Sequence, residues 1–275
     1  MSGTRSPFPK APATEPRTGP RTTLIVAHGS PSQPRGPEAA IRALAARVAG
    51  LLPRWTLRGA TLAAPGAVEA ALDRADDDVP LIYPFFMADG WFVRKTLPER
   101  VRRIRGERFE IARPFGLDPA LRRLCLDCLR RAATREGVAP NKTAVLLAAH
   151  GSPSDPRPRR AAESIAQAIA SAGLFREIRL GFIDQAPLVA EAAGIDAPAL
   201  CLPLFAGRAG HVERDLPDAL ADAGFPGVML DPIGVQPEVS DIVAAGLVRH
   251  LQESWMPRPA AVSQPPASHP KPFTL

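Results

Sequence analysis

Residues 24–38 read LIVAHGSPSQPRGPE, and residues 146–160 read LLAAHGSPSDPRPRR. Each stretch is a short apolar run, then His-Gly-Ser-Pro, then the start of a helical pattern. An apolar run without polar alternation suits a strand covered on both faces. Gly29 and Gly151 permit a tight turn or close backbone approach directly after it, and Ser30 and Ser152 are placed to cap the next segment. The repetition continues along the chain. His28 matches His150 at an offset of 122, and WTLRGATLAAPGAVEAA matches REIRLGFIDQAPLVAEAA at the same offset, which sets Gly59 on Gly181 and Leu62 on Asp184. PFFMADGWFVRKTLPE matches PLFAGRAGHVERDLPD at offset 119, with Phe92 on His211, and RPFGLDPAL matches DPIGVQPEV at offset 118. Four blocks in one order with a slowly drifting offset are an internal duplication. The unit of about 115 residues is too long for a short-period solenoid.

Within each half, strands and helices alternate. TTLIVAH, LRGATLA, LIYPFF and FEIARPF read as strands of the first half, and TAVLLAAH, IRLGFID, ALCLPLF and GVMLDPI as those of the second. Helical spacing separates them and closes each half, at DPALRRLCLDCLRRAAT and PEVSDIVAAGLVRHLQESW. Alternation of this kind predicts parallel βαβ units with right-handed crossovers. The expected fold is α/β: two tandem doubly wound domains related by duplication, each with a four-stranded parallel sheet. Their expected bounds are 22–136 and 141–255, divided at REGVAPN. The Pro-rich stretches 1–21 and 256–275, the second containing His269, are expected to be a disordered leader and tail.

Composition narrows the function. Among 275 residues no apolar run is long enough to span a membrane, and the N-terminal stretch lacks the hydrophobic segment of a secretory signal. Three cysteines, an odd number, point to a reducing compartment, most simply the cytoplasm. Cys125 and Cys128 form a C-x-x-C, but inside a helical pattern, which reads as core packing. The net charge is +6 and the pI near 9.9, with only 5% aromatic residues and no basic block interleaved with them. That argues against single-stranded nucleic acid. Arginine dominates the cations, which suits carboxylate or phosphate ligands or simply a solvated basic surface. No glycine-rich phosphate loop follows a strand, so no nucleotide is expected.

Ligands of doubly wound sheets bind beyond the carboxyl ends of the strands. There the second half offers His150, Asp184 and His211, where the first offers His28, Leu62 and Phe92. Two imidazoles and a carboxylate are an ordinary ligand set for a divalent first-row metal, and three donors leave positions open. The first half, having lost two of the three, is expected to bind no metal alone and to supply one wall of a cleft. His28 reads most simply as a structural hydrogen-bonding group, and His250, near the end of the last helix, as a dipole or solvent contact. Asp215 follows His211 by four residues. It either orients that imidazole from behind or is a favourable acid in a helix's first turn. A serine hydrolase built on Ser152 and His211 would need G-x-S-x-G, but the text is A-H-G-S-P.

From about residue 22 to 255 the chain resembles the sirohydrochlorin chelatases, the ATP-independent tetrapyrrole chelatases of cobalamin and sirohaem synthesis. The resemblance rests on the strand followed by H-G-S at His28 and His150, and on the phrase P-L-F-x-x-x-x-G-H-V-x-x-D-L-P from Pro203. It implies two related α/β halves around a cleft and insertion of Co²⁺ or Fe²⁺, as co-substrate, into a sirohydrochlorin-type macrocycle. It also implies metal binding by a His pair that falls on His150 and His211. Where the family usually has Glu near the end of strand two, this chain has Asp184, a third ligand or proton acceptor. The intact pair lies in the C-terminal half, whereas some long members hold it in the N-terminal half. Because the substrate carries many carboxylates, Arg157, Arg159, Arg160, Arg208 and Arg214, with Ser152, are the expected rim residues. A non-catalytic metal or tetrapyrrole carrier on the same scaffold is the alternative reading.

Overall fold

A computed structural model of the chain describes residues 22–73, 79–195, 198–208 and 210–255; the expected leader and tail, with His269, lie outside them. The first sheet comprises β1 (Thr22–Ala27), β2 (Thr56–Thr61), β3 (Leu81–Pro84) and β4 (Glu110–Ile111) in the order β2-β1-β3-β4. The second comprises β5 (Ala144–Ala149), β6 (Glu177–Phe182), β7 (Ala199–Pro203) and β8 (Val228–Met229) in the order β6-β5-β7-β8. Every pairing is parallel. The duplicated α/β architecture read from the sequence is therefore present. In each sheet the chain leaves the central strand to one side and returns on the other. The switch point lies between β1 and β3, and again between β5 and β7, where such sheets open a crevice.

The helices of the first half are α1 (Arg35–Leu51), α2 (Ala67–Asp73), α3 (Leu97–Arg105) and α4 (Pro119–Arg135); those of the second are α5 (Pro156–Ser171), α6 (Val189–Ala192), α7 (Leu216–Asp222) and α8 (Val239–Trp255). Side chains alternate between sheet faces as the pleat requires. Leu24 and Val26 pack towards α2 and α3, while Ile25 packs into the larger core on the opposite face. Leu146 and Leu147 divide in the same way.

That larger core joins the two halves. Buried Leu121, Leu124, Cys125 and Leu129 of α4 lie with Val145, Leu147, Leu200 and Leu202 of the second sheet, and α4 packs on α5 and β7. Val239, Val243 and Leu247 of α8 share the same core with Ile41, Leu44 and Val48 of α1, against which α8 lies. Thus the last helix of each half covers the other half. Each fully buried aliphatic side chain there contributes about 1.5–3 kcal/mol relative to exposure. Ion pairs tie the exchange: Arg131 to Glu238 at 2.9 Å, and Arg249 to the buried Asp118, which also accepts from Ala120 N at 2.9 Å to cap α4. His250 lies 3.4 Å from Glu110 and is one-fifth exposed, so it belongs to this inter-half contact, not to solvent as its sequence position suggested. All three cysteines are buried, as the helical spacing of the C-x-x-C implied for its pair.

The strand register corrects one detail of the repeat. Thr22 pairs with Thr56 and Ala144 with Glu177, so β2 and β6 correspond at offset 121, not 122. The structural counterpart of Asp184 is then Ala63, whose N–H donates to His28 O at 2.9 Å as that of Asp184 donates to His150 O at 3.0 Å. Leu62 corresponds instead to Ile183. The mismatch arose from two glycines that do similar work on opposite faces. A Cβ on Gly59 would sit 2.4 Å from the Ile41 carbonyl oxygen of α1, and one on Gly181 would sit 2.8 Å from Val189 Cα of α6. A one-residue shift in a strand turns every side chain to the other face.

Candidate metal centre

His150 stands directly after β5 on the turn that Gly151 makes possible. Gly151 has φ of +79°, and a Cβ there would meet Gln185 Cγ at 2.7 Å. Gln185 Oε1 accepts from Ser152 N at 3.0 Å, so the side chain after Asp184 braces the turn after His150. Sequence reading passed over Gln185, because nothing in its local pattern distinguishes it from a loop glutamine. The cap of α5 is Asp155, which accepts from Arg157 N at 3.0 Å; Ser152 acts one turn earlier, accepting from Asp155 N at 3.2 Å. No hydrogen bond joins Ser152 Oγ to an imidazole among the described residues, so no nucleophile–base pair forms there.

His211 opens a π-helical turn, His211–Asp215, that leads into α7. Such wide turns occur often at functional sites. Its ring lies 4.7 Å from that of His150, centroid to centroid, nearly perpendicular at 83°. Asp215 Oδ2 is 2.6 Å from His211 Nδ1, and Asp184 Oδ2 is 3.2 Å from His150 Nδ1. The Gly151 carbonyl oxygen is also 3.2 Å from His150 Nδ1. His211 Nδ1 is thus hydrogen-bonded to a carboxylate, whereas His150 Nδ1 is hydrogen-bonded to the Gly151 carbonyl oxygen with Asp184 at ion-pair distance beside it; among the described residues each Nε2 is left for another partner. Carboxylates in that position fix the tautomer and raise ring basicity at metal-binding histidines. Among the described residues, no three His, Cys, Asp or Glu side chains are gathered so as to hold one ion. The expected pair of imidazoles is brought together, but Asp184 stands beside His150 Nδ1 and does not complete a three-donor cluster.

The first half repeats the scaffold with the chemistry removed. The ring of His28 lies 4.2 Å from that of Phe92, as His150 lies beside His211. Its two carboxylate positions carry Ala63 and Thr96 instead of Asp184 and Asp215. Gly29 has φ of +80° and faces Thr61 as Gly151 faces Gln185. The two halves approach each other here as well: Gly90 abuts Asp155 and Pro158 at the start of α5. Beside it Asp89 pairs with Arg94 at 3.0 Å. Burial raises the Asp89 carboxyl above its usual range, against the lowering pull of Arg94.

The arginines divide. Arg157 is held by Asp155 at 3.0 Å, Arg159 by Glu163 at 2.8 Å and by the Ala186 carbonyl oxygen, and Arg208 by Asp231 at 2.7 Å. Arg214 lies against Gly210, one turn from His211, and neither it nor Arg160 has a carboxylate partner among the described residues.

The CbiX family matches residues 22–132 and again residues 144–249. The chain belongs to the CbiX family. The resemblance to sirohydrochlorin chelatases thus holds over both halves. A CbiX described as the terminal enzyme for biosynthesis of siroheme in denitrifying bacteria is 48% identical, with a TM-score of 0.76 over 83% of this chain and 99% of that one. SirB from Bacillus subtilis, solved with Fe³⁺, shares the fold at 16% identity and a TM-score of 0.68, covering 86% of this chain and 97% of that one. The sirohydrochlorin chelatase SirB from Bacillus subtilis subspecies spizizenii, in complex with cobalt, does so at 18% identity and a TM-score of 0.60, covering 85% and 96%. No curated protein matches the chain. No helix among the described residues is long and apolar enough to cross a membrane.

Proposed function

We propose that the protein is an ATP-independent chelatase of the cytoplasm that inserts Co²⁺ or Fe²⁺ into a sirohydrochlorin-type tetrapyrrole. The observation that carries the reading is the facing pair His150 and His211, each with a carboxylate within 3.2 Å of its Nδ1. Insertion exchanges one divalent ion for two pyrrole N–H protons, so the site must hold the ion, release it, and accept protons. Two neutral imidazoles hold a borderline metal without a thiolate cage, and the open coordination positions let the macrocycle nitrogens replace them. Asp184 stands next to His150 as a carboxylate able to take a proton. Arg214, which has no carboxylate partner among the described residues and lies one turn from His211, is the first candidate for a macrocycle carboxylate. Arg157 and Arg208 reach substrate only by sharing or leaving Asp155 and Asp231.

The test is insertion tracked by visible absorbance, with Co²⁺ and metal-free sirohydrochlorin. Turnover beyond one equivalent distinguishes an enzyme from a carrier. His150→Ala is expected to abolish turnover, and His28→Ala to leave most of it. Equal losses would refute the assignment of the metal to the second half.

A further inference from the structure

Three positions after β3 differ together from their counterparts after β7. Trp91 stands where the second half has Gly210, Phe92 where it has His211, and Lys95 where it has Arg214. Trp91 is 58% exposed and Phe92 39%, which makes them two of the few large apolar side chains left open among the described residues. They are nonetheless held in place. The Phe92 ring lies 4.2 Å from that of His28 and stacks at 6.4 Å on that of Phe86. Lys95 Nζ sits 4.3 Å from the Trp91 ring centroid, a cation–π contact. The next residue back, Gly90, lies against Asp155 and Pro158 at the start of α5, the helix that follows His150. Exposed aromatic rings held in place by their neighbours offer a flat ligand a face on which to stack.

The charges argue for the same occupant. Through the duplication, Lys95 and Arg214 are equivalent cations set on the loops of opposite halves. A flat aromatic ligand with carboxylates around its rim satisfies both features at once: rings for its face and cations for its edge.

We propose that Trp91, Phe92 and Lys95 form the seat of the macrocycle, with the indole and phenyl rings against its face and the Lys95 ammonium on a peripheral carboxylate. The first half has then exchanged metal binding for substrate binding, while the second keeps the metal. This rests on the chelatase reading above.

The experiment titrates metal-free sirohydrochlorin into the full chain, monitoring tetrapyrrole absorbance, and in parallel measures Co²⁺ insertion. Trp91→Ala is expected to raise the dissociation constant about tenfold, with Trp91→Phe restoring most of the affinity. Lys95→Gln is expected to raise it a few-fold and to flatten its salt dependence. The Co²⁺ concentration giving half-maximal rate stays unchanged in all three. His150→Ala binds the macrocycle like wild type but does not insert metal. If wild type binds and inserts while Trp91→Ala and Phe92→Ala keep the dissociation constant within twofold, the seat is refuted and the chelatase reading stands. If wild type takes up no sirohydrochlorin, both fall.

Discussion

Replacing Asp215 isolates the part of the site that depends on a single contact. Its Oδ2 lies 2.6 Å from His211 Nδ1, a distance typical of a charge-assisted hydrogen bond. Asn at 215 keeps an acceptor of the same reach but removes the charge, and Ala removes both. Carboxylates behind a metal-binding imidazole are worth about 10–100-fold in affinity or activity. The two side chains are 44% and 49% exposed, so solvent screens the pair and the lower end applies. Asp215→Asn is therefore expected to weaken the apparent Co²⁺ affinity about tenfold, or ~1.4 kcal/mol, and Asp215→Ala somewhat more. The KM for the macrocycle and the folding stability should hardly move, because an exposed surface substitution shifts stability within about 0.5 kcal/mol. Initial insertion rates across a Co²⁺ titration, with a urea melt of each variant, supply the readouts. Thr96→Ala, at the equivalent position of the first half, is the control and should behave as wild type. If both Asp215 variants keep the Co²⁺ dependence of wild type, the carboxylate does not act on the metal through His211 and the reasoning fails.

Other contacts make their own demands. Gly151→Ala should lose about 2–3 kcal/mol in urea denaturation together with most insertion activity, since it adds a crowded Cβ to a positive φ; Gly66→Ala, also at positive φ but with nothing within 4 Å, should lose only about 1 kcal/mol and keep activity, and equal losses would contradict this. Burial pushes the thiols of Cys128 up to about 11 and Cys201 up to about 12, and raises Cys125 further, so a thiol-reactive dye at pH 8 should label none of them until guanidinium unfolds the chain. The Arg100 guanidinium, bonded to Glu69 at 2.7 and 2.9 Å, holds that carboxyl below its ordinary value of 4.5. Its contribution is present above that value and lost as pH falls through the lower folded one. The Glu69 contact should therefore contribute about 1 kcal/mol or less at pH 7, given that Glu69 is 39% exposed, and the gap between Arg100→Met and wild type should narrow in melts below pH 4.5, leaving the part due to the lost Leu62 carbonyl bond.

The sequence showed most of the fold and part of the site. Short apolar runs, repeated in order and alternating with helical spacing, point to parallel strands buried on both faces. The pairing of His150 with His211 was legible because one follows β5 directly and the other opens the turn after β7, on either side of a switch point. Less legible was anything decided by a single residue of register. The apparent match of Leu62 to Asp184 came from two glycines that face opposite sides, and only the ladder shows that Ala63 is the counterpart. The placement of Asp184 was hidden for a related reason: residue type and spacing bring a carboxylate near an imidazole but do not say which ring nitrogen it lies beside. Asp215 was easier, since four residues on a helical turn fix its direction, yet the choice between orienting carboxylate and first-turn acid waited on the 2.6 Å contact. The fixed aromatic pair at Trp91 and Phe92 was seen only as the loss of a histidine.

The exchange of α4 and α8 bears on how an asymmetric pair of halves can work as one site. On the proposed reading, a metal held by two exposed imidazoles would be held weakly, and its transfer would depend on the macrocycle meeting it in a fixed pose. Two halves joined only by the segment 136–140 would leave that pose to a hinge. Here α4 covers β7 and α5 while α8 covers α1, and both are buried in one continuous core with Tyr83, Leu147 and Leu202. Separating the halves would expose Leu121, Leu129, Val243 and Leu247 at about 1.5–3 kcal/mol each, so the cleft between the loops is set by the core itself. Loss of the metal-binding groups from the first half is tolerable on such a frame. The frame still holds Gly90, next to Trp91 and Phe92, against the start of α5, the helix that follows His150, and each half is free to specialise because neither has to fold without the other.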